Sequence, residues 1–198
     1  MRTENEVRAL LKEFKQTIKI PKGIKCCLAG GSLITLFKGE YDFNIKDWDI
    51  FVETEQDYIR LVTHFDFFMN RRIETDNAVS FASQKNFGFS SRIIQVIKKR
   101  MGKTQQVIND FDLAICAVAY EFHTDTFKYH KHWHSDMKYN RLRLGDTPIL
   151  DLSFYRIEKY EMKGFLPIFD KGKVCERCLN RLSCLTVGDK RCLFPKES

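Results

Sequence analysis

The chain of 198 residues has no apolar run long enough to cross a bilayer. Its longest, residues 113–120, falls far short of the ~20 residues a span needs. Four prolines and ten glycines are too few for a collagen-like or disordered chain. There is no internal repeat. The polar, acidic start (Met1-Arg-Thr-Glu-Asn-Glu) has no signal-peptide pattern, so the expected location is the cytoplasm. In that compartment the seven cysteines read as thiols or metal ligands rather than a disulfide framework. Acidic residues are missing altogether between Asp76 and Asp110, where Lys85, Arg92, Lys98, Lys99, Arg100 and Lys103 lie. A second basic cluster begins at Lys171, and the net charge is +7. Clustered positive charge fits a polyanionic partner, although a basic run is also an ordinary solvated face.

What is present, 43% hydrophobic and 30% charged residues, suits one domain of roughly 150 residues with a small appendage. Thr3 and Glu6 form a capping box before Val7, Leu10, Leu11, Phe14 and Ile18, predicting a helix that ends before Pro21. Residues 24–29 read as a buried strand, broken by Gly30-Gly31-Ser32 and followed by a helical turn over 33–37. Period-two alternation predicts a strand over 47–52, and a capped apolar stripe predicts a helix over 54–70. Strand over 92–97, short helix over 104–109 and one long strand over 111–120 follow. The stretch 122–143 is mixed. Residues 149–163 read as a helix stopped by Gly164. The class is α/β (α+β) with mixed connections.

Three short motifs carry chemistry. Asp47 and Asp49 stand two apart on the expected strand, so both carboxylates leave one face. Paired acids repel, and a divalent cation with a preference for oxygen ligands relieves that repulsion. Alone, the pair is also simply an acidic strand face. Gly30-Gly31-Ser32 lets backbone amides approach a phosphate at a helix N-terminus, or is a plain turn. Asp112 opens the apolar run 113–120, as a ligand or as a strand-end cap, with Asp110 as an alternative two residues earlier.

In this order the motifs resemble the nucleotidyltransferase fold of the DNA polymerase β superfamily. The resemblance is closest to bacterial and phage nucleotidyltransferases carrying segments like CLAGGSLITLFKG, KDWDIFV, RIIQVI, VINDFDLAICAVAY and FYRIEKYEMKGF, and it covers about residues 24–166. It implies a mixed β-sheet with flanking helices that transfers a nucleoside monophosphate from an NTP to an acceptor hydroxyl. Asp47 and Asp49 would hold two Mg²⁺ ions, and Asp112 would complete one of them. Gly30, Gly31 and Ser32 would bind the triphosphate. Arg156 and Lys159, three apart on one helical face, would neutralise its charge, or else are a solvated face. The tRNA-end-adding branch usually has an Arg-Asp pair after the glycines, where this chain has Leu33-Ile34-Thr35.

Residues 167–198 form a basic, cysteine-rich tail beyond a main domain of 1–166. Cys175, Cys178, Cys184 and Cys192 are spaced for one tetrahedral structural Zn²⁺, with an iron–sulfur cluster or free thiols as alternatives. Arg177, Arg181, Lys190 and Arg191 interleave with them and suit nucleic acid. Cys26, Cys27 and Cys116 read as core residues, and His130, His132 and His134 as solvated or packed side chains. The expected function is metal-dependent nucleotidyl transfer, with an RNA end favoured as acceptor and no membrane partner. The alternatives are a catalytically idle binder of nucleic acid or protein, and transfer to a small molecule or protein side chain.

Overall fold

The computed structural model describes residues 1–40, 45, 47–82, 93–145 and 154–168. Helix α1 (Glu4–Ile18) begins at the Thr3–Glu6 capping box and buries Val7, Leu11, Phe14 and Ile18. Strand β1 (Cys26–Ala29) is wholly buried and turns at Gly30 into helix α2 (Gly31–Lys38). Strand β2 (Asp47–Val52) leads to helix α3 (Glu55–Phe68), whose N-cap Thr54 accepts from the Asp57 amide. A hairpin, β3 (Asn70–Glu74) and β4 (Ala78–Ala82), precedes strand β5 (Ile93–Ile97) and helix α4 (Thr104–Asn109). Strands β6 (Val118–Glu121) and β7 (Thr126–Tyr129), helix α5 (Trp133–Lys138), strand β8 (Arg141–Arg143), helix α6 (Phe154–Glu161) and strand β9 (Leu166–Ile168) complete the described elements.

Seven strands form one mixed sheet in the order β3-β4-β5-β2-β1-β6-β7, and β8 pairs with β9 separately. Only β2 and β5 run parallel within the large sheet; its other pairings are antiparallel. Trp48, Ile94 and Phe81 are in register and point to one face. Helices α1 and α3 cover that face: Phe14 stacks on Trp48 at 4.1 Å and Phe65 meets Phe81 edge-on at 5.4 Å. The alternation of β2 therefore sends Asp47, Asp49 and Phe51 to the opposite face.

One expected element differs. The uniform run 111–120 is not a single strand: Ala114–Cys116 is a 3₁₀ turn, and β6 starts only at Val118. Every residue from Leu113 to Tyr120 is fully buried. A segment enclosed on all sides lacks the polar alternation that would mark where extended pairing stops. The mixed stretch resolves into β7, α5 and β8. The expected starts at Arg92 and residue 149, and the cysteine tail, lie outside the described residues.

Candidate active site

Gly30 ends β1 at φ +91°, a conformation that L side chains rarely adopt. A Cβ there would lie 3.4 Å from the Phe111 ring and 4.0 Å from Asp49 Oδ2, so the glycine turn sits against the carboxylate. The first N–H groups of a helix lack intrahelical partners, and α2 begins in this turn. Ser32 is 6% exposed, and its Oγ has no hydrogen-bond partner among the described residues.

Asp47 and Asp49 are both half-buried. Burial and then the neighbouring Asp47 push the Asp49 carboxyl up to about 6, opposed by Arg156 and Lys159. The pair thus concentrates negative charge that Arg156 and Lys159 offset only in part, and its two hard oxygen donors fit a divalent cation. Beside them on β5, Gln95 is in register with Asp49 and donates through Nε2 to Ser80 Oγ at 3.3 Å.

Asp112 faces helix α6. Its Oδ1 is 2.6 Å from Arg156 Nη1, a close ion pair without hydrogen-bond alignment. Among the described residues no three His, Cys, Asp or Glu side chains are grouped to hold a metal. Asp47 and Asp49 thus share one face of β2, and Asp112 is in contact with Arg156. Asp110 is exposed and faces Arg100 at 3.6 Å. Lys159 is exposed, with Nζ 5.9 Å from the Tyr160 ring centre.

Several contributors escape the sequence reading. Tyr160, one helical turn beyond Arg156, puts its hydroxyl 3.1 Å from where a Gly31 Cβ would be and accepts from Cys116 Sγ at 3.1 Å. Arg156 Nη2 reaches the same sulfur at 3.5 Å. Burial raises the Cys116 thiol and the Tyr160 hydroxyl, so both remain protonated at neutral pH. The i, i+4 spacing of Arg156 and Tyr160 was a usable signal; the packing of Tyr160 onto glycine was not. Gly145 also matters, because a Cβ there would lie 1.9 Å from the Phe111 carbonyl oxygen. The Gly145 amide donates to Asp112 O at 2.8 Å, tying the segment down.

The other thiols and imidazoles named from the sequence, among the described residues, are packed into the fold. Cys26 and Cys27 are buried in β1, and burial pushes the Cys27 thiol up to about 12. His130 is buried and accepts from the His132 amide through Nδ1, while His134 packs on Tyr129.

With this geometry in hand, sequence comparison is decisive: residues 1–139 match a single protein family. The chain belongs to the Gabija anti-defense 2 family. No curated protein matches it in sequence. Solved structures extend the likeness at the level of fold. A CCA-adding enzyme in complex with CTP matches with a TM-score of 0.66 at 16% identity, over 94% of this chain and 47% of that one. The Thermotoga maritima CCA-adding enzyme complexed with tRNA matches at 0.60 and 15%, over 93% and 46%. A tRNA nucleotidyltransferase with a primer tRNA and an incoming ATP analogue matches at 0.55 and 16%, over 91% and 51%. The chain spans about half the length of these structures. This member of the Gabija anti-defense 2 family has a nucleotidyltransferase-like fold, and no helix among its described residues is long and apolar enough to cross a membrane.

Proposed function

We propose that the chain is a metal-dependent nucleotidyltransferase that moves a nucleoside monophosphate from an NTP to an acceptor hydroxyl. The observation that carries this reading is the carboxylate of Asp49 lying against the Gly30 turn, with Asp47 on the same strand face. Asp47 and Asp49 would hold Mg²⁺, which supplies charge stabilisation for in-line displacement at phosphorus. The α2 amides at Gly31 and Ser32 and the partnerless Ser32 hydroxyl would grip the triphosphate, with Gly30 giving the backbone its close approach. Arg156 and Lys159 would oppose the charge on the phosphates. The acceptor oxygen bonds to the α-phosphorus as pyrophosphate leaves.

An RNA end is the favoured acceptor, supported by the exposed Lys98, Lys99 and Lys103 and by the tRNA and NTPs named for the structural neighbours. The test is incubation with α-labelled NTPs, Mg²⁺ and total cellular RNA. Label should enter RNA, and Asp49→Asn should lose about a hundredfold or more of that transfer. A second reading, transfer to a protein or small molecule, is favoured by membership in an anti-defense family. It is also favoured by the buried Leu33, Ile34 and Thr35, which stand where the tRNA-end-adding branch usually has an Arg-Asp pair. Label in protein rather than RNA would select it, and no transfer to either would leave an idle binder. For residues 167–198 the proposal is one Zn²⁺ on Cys175, Cys178, Cys184 and Cys192, checked by elemental analysis of the wild type and of a Cys178→Ser, Cys184→Ser variant.

A further inference from the structure

We infer that Asp112 is a positioning residue that sets the Arg156 guanidinium for the polyphosphate of the substrate, and is not a metal ligand. The inference rests on the nucleotidyl-transfer reading and concerns how that site grips its nucleotide. Asp112 Oδ1 is 2.6 Å from Arg156 Nη1, and no third carboxylate joins Asp47 and Asp49 among the described residues. The Asp112 side chain is only 18% exposed, so its charge is neutralised by this arginine rather than by water. Arg156 in turn reaches Cys116 Sγ, and Cys116 donates to Tyr160 Oη, which lies 3.1 Å from the Cβ position of Gly31. A continuous chain of contacts therefore runs from Asp112 through α6 to the phosphate-binding turn. A guanidinium is a planar fork whose value to a phosphate depends on its orientation. The charge of Asp112 at Nη1 and the Cys116 sulfur at Nη2 together restrict that plane and leave other donors free for phosphate oxygens.

The competing role makes opposite predictions. Were Asp112 a metal ligand, Asp112→Asn would lose metal; were it a bystander, removing its negative charge would tighten a polyanion. The experiment measures Mn²⁺ binding without nucleotide, and inorganic tripolyphosphate binding with metal saturating, on the full chain. Asp112→Asn should hold Mn²⁺ within about twofold of wild type and weaken tripolyphosphate by about tenfold or more. Asp112→Glu should recover part of that loss, and Arg156→Lys should not substitute for arginine. Asp112→Asn leaves a half-buried guanidinium without its counter-charge. The double variant Asp112→Asn, Arg156→Gln keeps a neutral pair there and should bind Mn²⁺ normally while gripping tripolyphosphate poorly. Loss of Mn²⁺ in either Asn variant, or unchanged or tighter tripolyphosphate in Asp112→Asn, overturns the inference. Asp49→Asn is the reference for the underlying reading. If wild type binds no Mn²⁺, or Asp49→Asn binds it undiminished, that reading fails instead.

Discussion

Asp49 is asked to be buried and charged at once, and its pKa records the conflict. Folded, the carboxyl stands at about 6 because of burial and then Asp47, well above its ordinary value near 3.9. The folded protein therefore binds this proton more tightly than the unfolded chain does. Stability from Asp49 is fully present below about pH 4 and is lost as pH rises through about 6. Denaturant titrations with chelator present should show Asp49→Asn gaining on wild type across that window, by at most about 3 kcal/mol. Mg²⁺ at pH 7.5 should then raise the melting temperature of wild type but not of the variant. Transfer activity should fall below pH 6, where the proton competes with the metal. Ser32 makes a second prediction at this scale. Its hydroxyl has no partner to lose, so Ser32→Ala should melt within a degree or two of wild type while nucleotide affinity drops several-fold. A calorimetric titration reads that drop.

Elements, rather than single residues, decide where these groups meet. The Asp47 and Asp49 strand was legible because one face is covered by α1 and α3 and the other is not, which writes a period of two into the sequence. The glycine turn was legible because Gly30 needs positive φ. The segment around Asp112 was not, since complete burial erases the pattern that separates a strand from a 3₁₀ turn. The hairpin of β3 and β4 was missed too; β4 is buried on both faces, which blurs its alternation, and its turn, Thr75 to Asn77, is closed by Thr75 side-chain hydrogen bonds rather than glycine. The partner of Asp112 was out of reach because Arg156 arrives on a helix far along the chain. Gly145→Ala should expose this dependence. Its new methyl would push the Phe111 carbonyl away, costing about 1–3 kcal/mol and lowering nucleotide affinity together. Thr3→Ala, which removes the α1 capping box, should cost about 1 kcal/mol and leave nucleotide affinity unchanged. Comparing the two in one assay separates damage to the site from damage to the fold.

At the scale of the molecule, charge is the property most open to measurement. The basic stretch does not act as one block: Arg100 is paired at the surface with Asp110, while Lys98 and Lys99 stay exposed where their amides meet Asn77 O. If RNA is the acceptor, log affinity should fall linearly with log salt. Replacing Lys98 and Lys99 by Gln should flatten that slope by up to about two, and Arg100→Gln should change it less. Filter binding at several salt concentrations is sufficient.

The assembly of the site from both ends of the chain also bears on how the protein is made. Strands β1, β2 and β6, the glycine turn, Asp47 and Asp49 emerge from the ribosome well before α6. Domains fold as the chain lengthens, but Arg156 and Tyr160 are synthesised only after the whole seven-stranded sheet. A nascent chain in that interval has the acidic half of its site without the guanidinium. On the proposed reading it has its metal carboxylates and glycine turn but lacks the cation that opposes the phosphate charge. If the protein transfers nucleotides as proposed, synthesis carries its own timer, and the site is complete only once α6 has docked.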